Sequence, residues 1–363
     1  VTAAGPKIIH LASGREWRGG QRQVLLLARE LARLGADQLL ITRAAGRLAR
    51  EAVAAGVPVH GVAWRSGLSL AALRAAWWAA RRRPALLHAH DAHAVAVAAL
   101  AALLARRPFV ATKRTDFPIR RPAAWRRAAR TIAISAAVRD RLVEAGIDPA
   151  RIALVPSGID VEATRAVRPG AILHHLGLPE DRPLAVNVAA FTREKDHETL
   201  LRAAALVARQ APSLHWAIAG DGPLRTHLEK LAGDLGVAER IHFTGWLDDP
   251  LPLVAAARLF VLSSTAEGMG TVLLDAMALG VPVVATRAGG IPETVADGAL
   301  LVPPGSVEEL AAAVVQVVGD QSLRARLREA GTARVSQATA AGMAHAVGQV
   351  YRSIESGVGT RRP

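Results

Sequence analysis

Short apolar runs alternate with longer amphipathic stretches along most of the chain. In the first half, IIHLA (8–12), QLLIT (38–42), VPVHGVA (57–63), ALLHAH (85–90), PFVAT (108–112), TIAIS (131–135) and RIALVPS (151–157) read as strands. They are nearly continuously hydrophobic instead of strictly alternating, which suits parallel strands buried on both faces. Between them, residues 20–34, 69–82, 91–106 and 136–145 read as helices. The stretch after Asp160, through Arg168, Pro169 and Gly170, reads as a linker. A second series follows: LAVNVAAF (184–191), LHWAIAG (214–220), RIHFTG (240–245), LFVLSS (259–264), VPVVAT (281–286) and ALLVPP (299–304), with helices at 196–211 and 223–235. Residues 306–357 read as helical, and a polar tail ends at Pro363. This alternation predicts an α/β protein of two doubly wound, Rossmann-like domains with parallel sheets and a ligand cleft between them. The expected division is 1–165 for the first domain and 166–340 for the second. Residues 341–363 form a C-terminal helix and tail that can cross back to the first domain.

Composition narrows the function classes. A chain of 363 residues that is 51% hydrophobic, with mean hydropathy +0.22, is not disordered. Its longest candidate membrane stretch, Ala94 to Ala105, has about half the ~20 residues a spanning helix needs. The chain enters strand-like KIIHLA without a charged-then-apolar leader, so a cytoplasmic location is expected. With no cysteine there is neither a disulfide framework nor thiolate chemistry. The net charge of +14 favours anionic partners: nucleotides, phospholipid surfaces or nucleic acid. Only four of the 45 basic residues are lysines, which singles out a lysine such as Lys195.

The densest chemistry lies in EGMGTVLLDAMALGVPVVATRAGGIPE (267–293). Glu267 opens a glycine-bearing turn, Gly268–Thr271, before an apolar helix that carries Leu274 and Asp275; a buried strand, Gly289-Gly290 and Glu293 follow. Free N–H groups at such a helix start attract anions, and glycine lets backbone approach a phosphate. Carboxylates beside them suit hydroxyls, so this rim of a parallel sheet fits a ligand with both. Arg193 and Lys195 follow the first strand of the second domain and read either as phosphate-binding cations or as a solvated helix-start pair. Gly19 and Gly20 precede the long first helix, as a second anion site or a tight turn. The run His88-Ala89-His90-Asp91-Ala92-His93 lacks standard zinc spacing, so no metal site is expected, and one functional histidine, His90, fits a strand end better. No strand is followed by GxGxxG with a ribose-binding acid, which disfavours hydride transfer.

In order along the chain, SGREWRGGQRQVLLLARELARLG (13–35), VPSGID (155–160), REKDHETLLRA (193–203), IAGDGPLR (218–225), IHFTGWLDD (241–249) and the 267–293 segment resemble the retaining glycosyltransferases of family 4, which have the GT-B fold. The resemblance implies transfer of a sugar from a nucleotide-diphosphate donor to an acceptor hydroxyl with retention, by front-face displacement, with residues 1–165 as the acceptor-binding domain and 166–340 as the nucleotide-sugar-binding one. It implies no cofactor and no metal, since arginine, lysine and a helix dipole hold the diphosphate. It places Glu267 on donor-sugar hydroxyls and Asp275 on ribose hydroxyls, and puts Gly220, Gly268, Met269, Gly270 and Thr271 in the nucleotide-binding set with Gly19 and Gly20. Three departures stand out. The family commonly has glutamate where Asp275 stands. Ala189 and Ala190 occupy its usual Gly-Arg, leaving Arg193 as the replacement cation. Its Thr-x-His stretch reads FVATKRTDF, with Lys113, Arg114 and Asp116 in place of the histidine.

Trp64, Trp77 and Trp78 lie near Arg81, Arg82 and Arg83, and Trp125 lies among Arg120, Arg121, Arg126, Arg127 and Arg130. These read either as a patch for an anionic membrane surface bearing a lipid-linked acceptor or as ordinary solvated faces over buried Trp. No nucleic-acid-reading module is present, so no specific nucleic-acid partner is expected. The expected partners are therefore a nucleotide sugar and a saccharide or lipid-linked acceptor, with a lean toward cell-envelope or lipopolysaccharide synthesis. The alternatives are a GT-B nucleotide-sugar 2-epimerase, and a non-catalytic basic membrane-binding protein on the same scaffold. The base of the donor is open among UDP, GDP and ADP.

Overall fold

The computed structural model describes residues 7–65, 67–82 and 84–359; Arg83 and the last four residues of the tail lie outside them. The chain divides into two compact units, residues 1–158 with 339–363, and residues 159–338. The first contains a seven-stranded sheet of β1 (Lys7–Ala12), β2 (Gln38–Arg43), β3 (Val59–Val62), β4 (Ala85–Ala89), β5 (Phe109–Lys113), β6 (Arg130–Ala133) and β7 (Ile152–Leu154). Its order is β3-β2-β1-β4-β5-β6-β7, and every pairing is parallel. The second contains six parallel strands, β8 (Leu184–Val188), β9 (His215–Ala219), β10 (Ile241–Gly245), β11 (Leu259–Leu262), β12 (Val283–Thr286) and β13 (Ala299–Val302). They run β10-β9-β8-β11-β12-β13.

Helices cover the sheets because their apolar residues recur at helical spacing. The helix Gly19–Arg33 buries Val24, Leu27, Ala28 and Leu31. The helix Ala92–Ala105, the longest apolar stretch, is a core helix that buries Ala94, Val95, Val97, Ala98, Ala101 and Ala102. Among the described residues, no helix is long and apolar enough to cross a membrane. The C-terminal helix Ala340–Gly359 buries Ala340, Met343, Ala344, Val347, Val350, Tyr351 and Ile354 against Ile8, Leu27 and Leu31, and so belongs to the first unit.

One expectation fails. Residues 161–166 are a helix, not a linker: the Asp160 carboxylate accepts from the amide of Ala163 at 3.1 Å and caps it. This short helix packs on the helix Thr271–Ala278 and so belongs to the second compact unit, which begins at Ile159.

Each sheet reverses its winding once, between β1 and β4 and between β8 and β11. Loops leaving such a pair of strands run to opposite sides and leave a crevice at their carboxyl ends. The sequence-predicted site residues follow the strands at these two places, except Gly220, which follows β9.

Candidate active site

In the second unit, β8 is followed by Ala189–Asp196 and β11 by Ser263–Gly270. The two loops are stitched together: the Thr265 amide donates to the Glu194 carbonyl at 2.8 Å, and the Ser263 hydroxyl donates to the Lys195 carbonyl at 2.9 Å. That stitching sets the Lys195 ammonium against the Glu267 carboxylate, which it donates to across the switch point. Both side chains are largely shielded, at 21% and 16% exposed. Arg193, in the same short turn, projects into solvent, and its guanidinium has no hydrogen-bond partner among the described residues. Asp196 takes a left-handed conformation (φ 46°) and caps the next helix by accepting from the Thr199 amide. Just inside that helix, His197 is buried, bonded to Asn187 of β8, with burial pulling its pKa down to about 4.

Behind Glu267 the chain turns through Gly268, Met269 and Gly270, all buried, into the helix Thr271–Ala278. Gly270 sits at φ 70°, where an L side chain is strained, and a Cβ there would lie 3.1 Å from Leu273 and 3.4 Å from Glu267. The turn is held from below: the Gly290 amide donates to the Glu267 carbonyl at 3.0 Å, and the Thr294 hydroxyl donates to the Met269 carbonyl at 2.5 Å. Asp275 is only 2% exposed, so it is no surface residue of that helix. Gly220 has a packing reason of its own. At φ 149° it lies so near the end of β8 that a Cβ would stand 1.9 Å from the Ala189 carbonyl oxygen.

In the first unit, Gly19 and Gly20 begin their helix directly, and the nearest atom to a Cβ on Gly20 would be Cδ of Arg114 at 3.9 Å. Asp91 caps the helix Ala92–Ala105 through the Ala94 amide and also accepts from the amide and hydroxyl of Ser13 at 2.6 and 2.5 Å. His93 faces solvent. His88 and His90 point inward instead and are joined by His10 from β1, which lies beside His88 in the sheet. Their ligand-capable nitrogens lie within 4.8 Å of one another, a constellation able in principle to hold a metal ion. Each of the six ring nitrogens, however, already has a protein partner. Arg114 donates to His90 Nδ1 at 3.3 Å, which puts the ring proton on Nε2. That proton is donated to His10 Nδ1 at 3.0 Å; His10 Nε2 then donates to Gln38 at 3.2 Å, and Gln38 to the Ala28 carbonyl at 2.7 Å. His88 bonds Tyr351 at 2.6 Å and Thr112 at 2.7 Å. An ion would have to break this chain and sit beside the Arg114 cation, so the donor set fits a hydrogen-bonded relay better than a metal centre. Burial is the main cause that drives His10 to about 4 and His88 and His90 well below the usual imidazole value. With both nitrogens of His90 engaged, the group this relay orients is Arg114, whose own pKa burial lowers to about 10.

Two family models match, with "Glycosyl transferases group 1" covering residues 171–334 and "Glycosyltransferase Family 4" covering 17–163. The chain belongs to glycosyltransferase family 4. It is 42% identical over 158 residues to the lipopolysaccharide core biosynthesis glycosyltransferase LpsE of Rhizobium meliloti, covering 43% of this chain and 45% of that one. It is 32% identical over 237 residues to the alpha-D-kanosaminyltransferase of Streptomyces kanamyceticus, covering 62% and 61%. The chain thus spans about half the length of the curated relatives it matches. Anabaena Alr3699/HepE, solved in complex with UDP and glucose, superimposes with a TM-score of 0.84 over 96% of this chain and 100% of that one at 23% identity, which establishes the GT-B fold.

Within this family 4 chain the second unit brings Lys195 against Glu267 beside the Gly268–Thr271 turn, leaves Arg193 exposed in the turn that carries Lys195 and buries Asp275 in the helix that follows, and the first unit holds Gly19, Gly20 and His90. Sequence reasoning missed His10 and Tyr351. The strand order puts residue 10 beside residue 88, a signal readable only once β1 and β4 are known to be neighbours. Of the tryptophans, Trp64 and Trp125 are core residues, whereas Trp78 is 53% exposed with the Arg82 guanidinium 3.3 Å from its ring centre.

Proposed function

We propose that this chain transfers a sugar from a nucleotide-diphosphate donor to an acceptor hydroxyl with retention of anomeric configuration. The observation that carries the reading is the Lys195–Glu267 pair across the β8/β11 switch point, beside a glycine-led helix start. A donor diphosphate would take over the Lys195 ammonium, with Arg193 and the positive end of the helix Thr271–Ala278 sharing the charge that grows as it leaves. Glu267, released from its lysine, would then accept from donor-sugar hydroxyls, and Asp275 would hold the ribose. These cations and the helix end do the work of a metal, so no cofactor enters the scheme. Arg114, oriented by the relay through His90 and His10, is the cation the first unit offers to an anionic ligand.

UDP is the donor base to test first, because HepE is solved with UDP and glucose. The acceptor we favour is a cell-envelope saccharide, on the likeness to LpsE. Exposed Trp78 under Arg82, with Leu70 at 77% exposed on the same helix, supports delivery from an anionic membrane surface at its cytoplasmic face. The experiment is a thermal-shift series against UDP, GDP, ADP and their sugar conjugates. A ligand at a hundred times its dissociation constant adds ~2.7 kcal/mol. Stabilisation by one nucleotide that disappears in Lys195→Ala supports the reading, and indifference of folded wild type to all of them sinks it.

A further inference from the structure

The amino end of the second sheet carries a cavity of about 390 Å³ for which the proposed reaction has no use. It forms where strands begin: Arg182 leads into β8, Arg258 leads into β11, and Arg328 comes from the helix Gln321–Ser336, with Leu184 and Val318 supplying apolar wall. Lys195 and Glu267 lie beyond the opposite ends of the same strands, and a five-residue strand is about 16 Å long. The cavity is therefore a separate place on the unit.

Its charge is only partly compensated. Among the described residues the guanidiniums of Arg258 and Arg328 have no hydrogen-bond or ion-pair partner, and Arg182 meets only its exposed neighbour Asp181 at 3.4 Å. A fourth arginine stands close by. Arg324, 6% exposed, donates to the carbonyls of Val317 and Val318 at 2.8 and 2.6 Å and so neutralises the negative end of the helix Val307–Gly319. Arg258 and Arg328 are near enough to disfavour its charged form, although burial is the larger cause. The acid close to it, Asp320, is engaged in capping through the Leu323 amide at 2.9 Å. Four arginines gathered beside two carboxylates, Asp181 and Asp320, leave a surplus of positive charge that repels, and an anion relieves the repulsion. Guanidinium forks match phosphate oxygens two at a time, and the volume lies in the range of small-molecule sites.

We propose that this arginine-lined cavity binds a small multiply charged phosphate group, either a soluble di- or triphosphate or the phosphate headgroup of a lipid. The site does not rest on the donor-site reading. Its test is a titration of inorganic tripolyphosphate by calorimetry, with Lys195→Ala as the background so that the donor site is silenced. Arg258→Gln and Arg328→Gln should each weaken the remaining binding about tenfold, as expected for loss of a charge-assisted hydrogen bond. A second arm measures sedimentation with phosphatidylcholine vesicles with and without phosphatidic acid. Dependence on the two arginines in the soluble arm identifies a free phosphate ligand, and dependence in the vesicle arm alone identifies a lipid headgroup. If neither arm responds to the double substitution while its circular dichroism matches the parent, the proposal is overturned.

Discussion

Acidification from pH 7 to pH 5 should loosen the first unit much more than the second. The first contains the buried His10, His88 and His90, and the second contains the buried His197. Burial lowers the pKa of all four, to about 4 for His10 and His197. An unfolded histidine takes up its proton near pH 6.5, while the folded ring stays neutral until pH reaches its lower value. Between those limits the unfolded chain binds more protons, so stability is complete above about 6.5 and falls as pH drops toward the folded pKa. For a ring moved from 6.5 to 4, the loss between pH 7 and pH 5 is about 2 kcal/mol. His10 and His197 would each lose about that much, and His88 and His90, held well below the usual imidazole value by burial, add to the loss of the first unit in the same direction. Hydrogen exchange read by mass spectrometry, corrected for intrinsic rates, gives each unit separately. The helices Gly19–Arg33 and Ala340–Gly359 should lose protection by pH 5 well before the helix His197–Gln210 does. Equal losses, or imidazole NMR signals from residues 10, 88 and 90 titrating near 6.5, would refute the burial argument.

Two single substitutions test other parts of the reasoning. Tyr351→Phe leaves one nitrogen of buried His88 unpartnered and should cost about 1–3 kcal/mol in chemical denaturation, with no change in nucleotide-induced stabilisation. Gly220→Ala places a Cβ 1.9 Å from the Ala189 carbonyl oxygen at a φ that alanine avoids, so the protein should express poorly or lose more than ~3 kcal/mol; a native denaturation midpoint would show that the strand ends can part.

The candidate site was only partly legible before the fold. Lys195 and Glu267 each stand in a motif, yet 72 residues separate them, and it is the order β8-β11 that makes them partners. The resemblance puts Gly220 in the nucleotide-binding set, and its immediate reason in the structure is the close passage of the Ala189 carbonyl. His90 reads as a reacting group and sits instead inside a satisfied chain of hydrogen bonds ending on Arg114.

Taken alone, the sequence determined the two runs of parallel strands and their helices, because a strand buried on both faces must be apolar along its length and a covering helix on one side only. It also singled out the helix start after Glu267 as the candidate anion site, since Gly268 and Gly270 lie in its turn. The helix at 161–166 was decided by tertiary structure: six residues are too few to be stable alone and need the Asp160 cap and the packing surface of Thr271–Ala278. The same holds for the return of the C-terminal helix, the meeting of His10, His88, His90 and Tyr351, and the arginine-lined cavity at the amino end of the second sheet. Each is a contact between segments far apart along the chain, set by strand order and packing, and local periodicity carries no record of either.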